Sequence, residues 1–242
     1  MDPELYHLHH QNYLEDLPYW LTLADQMSEK SQPSTILELG CGTGRVMQTL
    51  RAEGFEVFGL DYDQQMLAYL KGQDPAAPVF LADLTGFQLD QKFSLILLPC
   101  NTYSTLTSAQ RRSALRSISA HLAPGGIFAV SLPNPADLID MGSSEESGIE
   151  ESFNHPASGL PVQVSSSWET RGSTVTIYWH YDLLLADGRV TRTTHSTTHQ
   201  LDPVESYLAE LRDAGFQVET YGEFNRTPYH PEADFLIIEA RK

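Results

Sequence analysis

The sequence predicts an α/β fold with a doubly wound, mostly parallel seven-strand sheet and an antiparallel β insertion. Short apolar runs alternate with helix-length segments from residue 35 to 132, as expected of parallel strands joined by crossover helices. Most of these runs end on glycine, an acid or Pro-Cys-Asn, residue types that suit a ligand crevice at strand ends. Residues 161–200 are instead rich in β-formers and contain the hairpin pattern Ala186-Asp187-Gly188.

Apolar periodicity and breaker residues set the boundaries of each predicted element. The predicted strands of the main sheet are 35–39, 56–60, 79–81, 93–98, 127–132, 216–221 and 235–239. The predicted helices are 4–29 with an interruption at Pro18, a helix from Val46 to its stop at Gly54, 64–71, 108–122 and 203–214. Between them, residues 134–151 are rich in Ser, Glu, Gly and Pro and predict an irregular connection.

These elements divide the chain into three regions. Residues 1–30 form a helical cover, residues 31–135 and 200–242 form the main domain, and residues 136–199 form the insertion, a lid, substrate region or dimer surface.

The charge balance limits the partners of the chain. It has 32 Asp and Glu against 15 Lys and Arg, a net charge of -17, which disfavours nucleic acids because their binding depends on cationic groups. The pair Arg111-Arg112 is expected on an exposed helix face.

The two cysteines show no disulfide or metal spacing, and no run of eighteen apolar residues occurs. We expect a cytoplasmic monomer or homodimer with no membrane partner.

A glycine segment follows the first predicted strand. Gly40, Gly42 and Gly44 let the backbone approach a ligand, and the next helix offers free N–H groups. A dinucleotide fingerprint would need glycine where this chain has Arg45, which weakens the alternative of a nicotinamide-dependent oxidoreductase. Glu38, two residues before the first glycine, fits a cationic ligand better than a pyrophosphate.

Residues 36–46, Ile-Leu-Glu-Leu-Gly-Cys-Gly-Thr-Gly-Arg-Val, resemble motif I of the class I S-adenosylmethionine-dependent methyltransferases. The resemblance implies a Rossmann-like fold and S-adenosylmethionine as cofactor, with an acid after the second strand on the ribose and the segment Ala82-Asp83-Leu84 on the adenine. The cofactor-binding residues implied for the first three strands are Glu38, Gly40, Cys41, Gly42, Thr43, Gly44, Arg45, Asp61, Tyr62, Met66, Ala82, Asp83 and Leu84.

The tract from Tyr6 to Pro18 and the ending Tyr221-Gly-Glu-Phe224 resemble the bacterial small-molecule methyltransferases of the glycine and amino-sugar N-methyltransferase-like group. In such relatives an N-terminal tyrosine closes over the cofactor, a role that the resemblance gives to Tyr6 or Tyr13. The alternative is a tyrosine that only packs the helix on the domain.

Methyl transfer is expected at the end of the fourth strand, where Pro99, Cys100 and Asn101 would contact the cofactor and Tyr103 would make a catalytic polar contact. The sequence lacks the Asp/Asn-Pro-Pro-Tyr box of amino-group DNA and protein-glutamine methyltransferases. Pro99-Cys100 matches the Pro-Cys of cytosine-C5 methyltransferases, in which a thiolate adds to the ring, but the other motifs of that family are missing. A half-buried thiol is the favoured interpretation of Cys100 and of Cys41.

The insertion supplies candidate general bases. His180, His195 and His199 lie on predicted strands and His155 in a loop. We select His180, whose face of the strand, opposite Ile177 and Trp179, meets either the pocket or only solvent. The alternative for each of these histidines is an ordinary surface position. No metal is predicted. His7, His9 and His10 match no zinc pattern and are interpreted as a solvated helix end.

The resulting hypothesis is transfer of a methyl group from S-adenosylmethionine to N or O of a small-molecule acceptor. The alternatives are a catalytically silent protein that binds the cofactor for sensing, and a thiolate enzyme of the cytosine-C5 type.

Overall fold

The computed structural model describes residues 2–30, 34–144 and 148–242. The helices in these ranges are α1 (Pro3–His10), α2 (Leu17–Lys30), α3 (Arg45–Ala52), α4 (Gln64–Gln73), α5 (Thr102–Thr105), α6 (Ser108–His121), α7 (Pro135–Asp140) and α8 (Val204–Asp213). The strands are β1 (Thr35–Leu39), β2 (Glu56–Asp61), β3 (Val79–Leu81), β4 (Phe93–Leu98), β5 (Leu122–Pro133), β6 (Glu151–Asn154), β7 (Pro161–Arg171), β8 (Thr174–Leu184), β9 (Val190–Gln200), β10 (Gln217–Tyr221) and β11 (Phe235–Arg241).

The main sheet has seven strands in the order β10-β11-β5-β4-β1-β2-β3. Strands β1 to β5 pair in parallel, and β11 runs antiparallel to both β5 and β10. This confirms the predicted doubly wound sheet. Because β1 lies between β2 and β4, the chain turns to opposite sides of the sheet at this point, and a crevice opens at the carboxyl ends of β1 and β4.

Helices cover both faces of this sheet, which explains why its central strands are continuous apolar runs. All six residues of β4 are buried. On one face, Trp20, Leu23 and Met27 of α2 pack with α3 and are almost completely buried. On the other face, α6 and α8 pack through residues such as Ile118 and Leu211.

The second sheet has four antiparallel strands in the order β6-β7-β8-β9. The predicted turn at 186–188 joins β8 to β9, with Gly188 at φ +84°. Val162, Val164 and Tyr181 of this sheet form a small apolar cluster with Leu5 of α1. The N-terminal helix therefore lies against the inserted sheet.

Local structure differs from the prediction in two segments. The N-terminal helix is split into α1 and α2, and Pro18 is the second residue of α2, where a missing N–H costs no helical bond. The connection predicted to be irregular contains α7 and the first residue of β6. Residues 145–147 of that connection, and residues 31–33 at the predicted boundary of the main domain, lie outside the described residues.

Arg111 is buried, in contrast to the exposed position predicted for the Arg111-Arg112 pair. Its side chain has no exposed surface, and its guanidinium lies 2.7 Å from both Glu210 and Asp202. The guanidinium also stacks 4.4 Å from the centre of the Tyr207 ring. Arg112 alone is exposed, with 55% of its side chain accessible. These contacts join α6 to α8.

No helix within the three described ranges is long and apolar enough to span a membrane.

Candidate functional site

The loop between β1 and α3 brings backbone into the crevice. Gly40, Gly42 and Gly44 have φ values of +64°, +52° and +88°, a region that favours glycine. A Cβ at Gly44 would lie 2.6 Å from Leu70 Cδ1. The loop therefore requires glycine for its conformation and, at residue 44, for space.

Asp61 ties this loop to the end of β2. Its Oδ2 accepts a 2.7 Å hydrogen bond from Gly42 N, and its Oδ1 accepts a 2.8 Å bond from Asp63 N. Burial raises the pKa of Asp61 above its ordinary value. The carboxylate is thus held at the end of β2, beside the glycine loop, where the resemblance expects a ribose ligand.

The residues expected around the rest of a nucleoside follow the next strand ends. Tyr62 is 78% exposed, whereas Met66 is buried in the first turn of α4. Asp83 lies in the loop after β3, where its Oδ1 accepts bonds from Thr85 N and Oγ1 at 2.8 and 2.7 Å. Leu84 is buried in the core, next to the partly buried Ala82.

Glu38 is a buried carboxylate with an unused oxygen. Only 3% of the residue is exposed, and Oε2 has no hydrogen-bond partner within the described part of the chain. Burial raises the pKa of Glu38 to about 8, and the nearby Arg45 guanidinium only partly opposes this shift. Arg45 forms a two-point ion pair with Asp16, with 2.6 Å for each contact, and donates to Tyr13 O at 2.6 Å. The free oxygen of Glu38 is therefore available to a cationic group entering the pocket.

A pocket of about 560 Å³ opens beside Glu38 and lies within the size range of small-molecule sites. The glycine loop, α1, the end of β4 and one face of the inserted sheet form its walls. The predicted site residues that line it are Tyr6, Tyr13, Glu38, Gly40, Cys41, Thr43, Arg45, Cys100 and Asn101.

The first helix closes one side of this pocket. The Tyr6 ring lies over the glycine loop, with Cε1 3.7 Å from the position of a Cβ at Gly42. His7 Nδ1 lies 3.3 Å from Thr43 Oγ1, and His9 Nδ1 lies 2.9 Å from Tyr181 Oη in the inserted sheet. The interpretation of these histidines as a solvated helix end is therefore wrong, because α1 packs between the loop and the insertion. Burial lowers the pKa of the third one, His10, to about 3.

The end of β4 has an unusual backbone. Cys100 and Asn101 adopt φ values of +59° and +63°, a region that costs energy for residues other than glycine and that is enriched at functional sites. The Cys100 side chain is exposed and its Sγ lies 2.9 Å from Arg45 Nη2, while Pro99 is buried behind it. Cys41, by contrast, is buried, and a Cβ at Gly59 would come within 2.7 Å of its Sγ.

The structure does not bring the two catalytic candidates, Tyr103 and His180, to the pocket. Tyr103 is completely buried, because α5 turns it inward against Tyr207 and Phe128. His180 lies on the opposite face of β8, where it contacts Ser167 Oγ and Thr194 Oγ1 at 3.0 and 2.9 Å. Both assignments are corrected on this geometry.

The apolar face of the inserted sheet meets the pocket instead. Ile177 and Trp179 of β8 line the pocket, together with Thr197 and His199 of β9. The register explains this set, since Ile177 pairs with Thr197 and Val175 pairs with His199. His195 lines a separate, smaller pocket beside α1 and α4.

In residues 2–30, 34–144 and 148–242, no group of three or more His, Cys, Asp or Glu side chains is arranged to hold a metal ion.

Comparison with known proteins finds a family model that matches part of the chain. A methyltransferase domain family matches residues 36–126, which include the glycine loop, Asp61 and the end of β4. The same segment carries the loop geometry described above, with β1 to β4. Over this segment, which is less than half of the chain, the protein is similar to methyltransferase domains.

This chain has two relatives that carry the names of amino-sugar enzymes. It is 30% identical over 100 residues to a dTDP-4-amino-2,3,4,6-tetradeoxy-D-glucose N,N-dimethyltransferase of Saccharopolyspora spinosa, which covers 41% of this chain and 40% of that protein. It is 26% identical over 221 residues to a dTDP-3-amino-3,6-dideoxy-alpha-D-glucopyranose N,N-dimethyltransferase of Streptomyces fradiae, which covers 89% of this chain and 84% of that protein.

A solved structure extends the likeness to nearly the whole chain. CalS10, an amino pentose methyltransferase from Micromonospora echinaspora with S-adenosylmethionine bound, superposes with a TM-score of 0.73 over 98% of this chain and 96% of that chain. Because the sequences are 20% identical, the superposition shows the shared fold. That fold is the one predicted from the sequence.

Proposed function

We propose that this chain transfers a methyl group from S-adenosylmethionine to an amine of a small molecule. The observation that carries the proposal is Glu38, a buried carboxylate whose Oε2 has no hydrogen-bond partner among the described residues and which lines the pocket at the glycine loop. An isolated buried carboxylate is costly, and a ligand with a cationic amino group would remove that cost. S-adenosylmethionine carries such a group and supplies an electrophilic methyl group on its sulfonium.

The chain has a residue suited to each part of this cofactor. Glu38 would accept hydrogen bonds from the amino group, and the Gly40–Gly44 backbone would pass along the methionine part. Asp61 would accept hydrogen bonds from the ribose hydroxyls, and such bonds to an ionised acid are stronger than those between neutral groups. Asp83 and Leu84 would contact the adenine.

The acceptor would enter from the side of the inserted sheet. Ile177 and Trp179 offer an apolar wall, and Glu151 and His199 supply polar groups on the same pocket. Methyl transfer requires alignment of the nucleophile with the methyl group and exclusion of water, which this enclosed arrangement supports. Tyr6 would complete the enclosure over the glycine loop.

Amino sugars linked to dTDP are the acceptors named for two relatives, which favours an amine acceptor of this class for the present chain. The net charge of -17 argues against a nucleic-acid partner. A cytoplasmic location and a monomeric or homodimeric state remain predictions from composition.

The first test is calorimetric titration of the purified protein with S-adenosylhomocysteine, with NAD as the control. Micromolar binding of S-adenosylhomocysteine alone supports the proposal, and binding of NAD alone contradicts it. The second test follows methylated product by mass spectrometry after incubation with S-adenosylmethionine and a panel of amino sugars, amines, alcohols and carboxylic acids. Methylation confined to amines supports the proposed acceptor, whereas binding without any turnover favours the silent alternative.

A further inference from the structure

His199 is the histidine that the pocket receives from the inserted sheet. It lies on β9, is 6% exposed, and lines the pocket beside Thr197. The other histidines that line the pocket, His7, His9 and His10, all belong to α1. His199 is thus positioned by β9, the edge strand of the inserted sheet, and not by the helix that closes the pocket.

A chain of hydrogen bonds fixes the tautomer of this ring. The Ser104 hydroxyl donates to Asn101 O at 2.7 Å, and the same Oγ lies 2.8 Å from His199 Nδ1. A hydroxyl has one proton, so once it donates to the carbonyl its oxygen accepts from Nδ1–H. The neutral imidazole then carries its lone pair on Nε2.

The surroundings keep this imidazole neutral. Burial lowers the pKa of His199 to about 4, and no charged group contributes to the shift. From β8 the residue paired with it is Val175, and from α5 its contact is Ser104, neither of which titrates near neutral pH. The Ser104 hydroxyl contacts Nδ1 and not Nε2, and the ring lines the pocket on the same wall as Ile177 and Trp179.

We propose that Nε2 of His199 accepts a hydrogen bond from the N–H of the acceptor amine and so aims the nitrogen lone pair at the methyl group. This inference rests on the proposed function. It assigns His199 a direct contact with substrate, and it selects primary and secondary amines, because a tertiary amine has no N–H to donate.

Methyl transfer requires no proton transfer to the protein. The nitrogen lone pair forms the new N–C bond as the C–S bond of the sulfonium breaks, and the electron pair of that bond goes to sulfur. The nitrogen keeps its proton and becomes an ammonium whose N–H is still held by Nε2. The ammonium loses a proton to water after it leaves. Because positive charge develops on the N–H donor, its hydrogen bond to Nε2 strengthens in the transition state.

The tautomer can be measured without any substrate. Long-range proton–nitrogen NMR spectra of the full chain with ¹⁵N-labelled histidine should show a protonated Nδ1 and a bare Nε2 for His199, assigned by loss of its signals in His199→Gln. Ser104→Ala should change these shifts, since Nδ1–H loses its partner. A proton on Nε2 in the wild-type protein overturns the proposal.

Kinetics test the contact itself, with the amine that the wild-type protein methylates fastest in the panel above. His199→Leu should lower kcat by about ten- to hundredfold, the cost of a hydrogen bond to a charged donor. Its affinity for S-adenosylhomocysteine should stay at the wild-type level. His199→Gln, which keeps an acceptor oxygen, should recover part of the lost rate.

Thr198→Val is the matched control, because Thr198 is the neighbouring residue on the exposed face of β9 and bonds Thr176 Oγ1 at 2.9 Å. If His199→Leu and Thr198→Val have equal kcat values, the inference about His199 is overturned, whereas the proposed function is not affected. So does a parallel loss of S-adenosylhomocysteine affinity in His199→Leu, which would show a structural role. If the wild-type protein binds S-adenosylhomocysteine but methylates no amine, the proposed function fails and this inference fails with it.

Discussion

The Asp61 carboxylate accepts a hydrogen bond from the backbone N–H of Gly42, with 2.7 Å between Oδ2 and N. The contact joins the end of β2 to the loop after β1, two segments that are adjacent in the sheet but nineteen residues apart in the chain. Asp61 therefore shapes the glycine loop and, in the proposed function, also binds the ribose.

Asp61→Ala should weaken S-adenosylhomocysteine binding by about 1–3 kcal/mol, because charged hydrogen bonds are lost. Calorimetric titration measures the effect. Asp63→Ala is the control, since Asp63 caps α4 through Gln65 N and Met66 N and its loss should lower stability by about 1 kcal/mol with affinity retained. Unchanged affinity in Asp61→Ala would remove this residue from the proposed site.

Glu38 should make stability fall as pH rises from about 4.3 to about 8. Its pKa is raised by burial to about 8 in the folded protein, from about 4.3 in an unfolded chain. The folded state therefore holds a proton that the unfolded state releases, and this contribution to stability is complete below about pH 4.3 and is lost as pH rises through about 8. Glu38→Gln stays neutral and should be more stable than the wild type at pH 9, with little difference at pH 4. Urea unfolding of both proteins at pH 4 and pH 9 tests this prediction. The same difference in stability between the two proteins at both pH values would contradict the raised pKa.

Binding of the cofactor should release this proton. At pH 7 Glu38 is protonated in the empty pocket, because its pKa is about 8, whereas a bound ammonium favours the carboxylate. Titration with S-adenosylhomocysteine in two buffers of different ionisation enthalpy should show release of up to one proton per ligand. The release should vanish in Glu38→Gln, and equal heats in the two buffers for the wild-type protein would be the opposing result.

Arg111 and Arg112 should differ sharply in their effect on stability. Arg111→Leu leaves Glu210 buried without its closest cation and should destabilise the fold by about 3–5 kcal/mol. Arg112→Leu removes a contact of 3.8 Å from an exposed side chain and should cost about 1 kcal/mol or less. Thermal and urea unfolding compare the stabilities of the two variants. Equal losses of stability would show that the buried network does not stabilise the α6–α8 contact.

Gly59→Ala should overpack the space beneath the glycine loop. The added Cβ would lie 2.7 Å from Cys41 Sγ and 2.8 Å from Met47 Sδ, and such crowding costs about 1–3 kcal/mol. Adding Cys41→Ala should recover part of that loss. Gly72→Ala, in open space on α4, is the control and should stabilise by about 0.5–1 kcal/mol. A Gly59→Ala variant as stable as the wild type would show that the loop relaxes freely.

The main sheet could be predicted because its strands are apolar along their whole length and its turns require particular residues. β1 and β4, buried on both faces, differ plainly from the helices between them. The glycine loop and Asp61 follow directly from strand ends, so local sequence was sufficient to locate these residues, whereas their contact with a cofactor stays a prediction.

The part of the site that the inserted sheet forms was harder to predict, because strand alternation defines two faces of a strand without saying which one meets the pocket. Strand alternation left open whether the face of β8 with His180 meets the pocket or only solvent, and the structure shows that the pocket wall is the apolar face with Ile177 and Trp179. The position of His199 on the pocket wall follows only from the register of β8 with β9. Arg111 was misplaced for a similar reason, since its partner Glu210 is 99 residues away in the chain.

The contacts of α1 also bear on how ligands come and go. His7 lies against Thr43 of the glycine loop, while His9 on the same short helix is bonded to Tyr181 of the inserted sheet. Because both contacts belong to one short helix, a movement of α1 away from the glycine loop also disturbs its contact with the inserted sheet. Loading of the cofactor and escape of the product would then share a single opening event, and the frequency of that event would set an upper limit on turnover however fast the chemistry is.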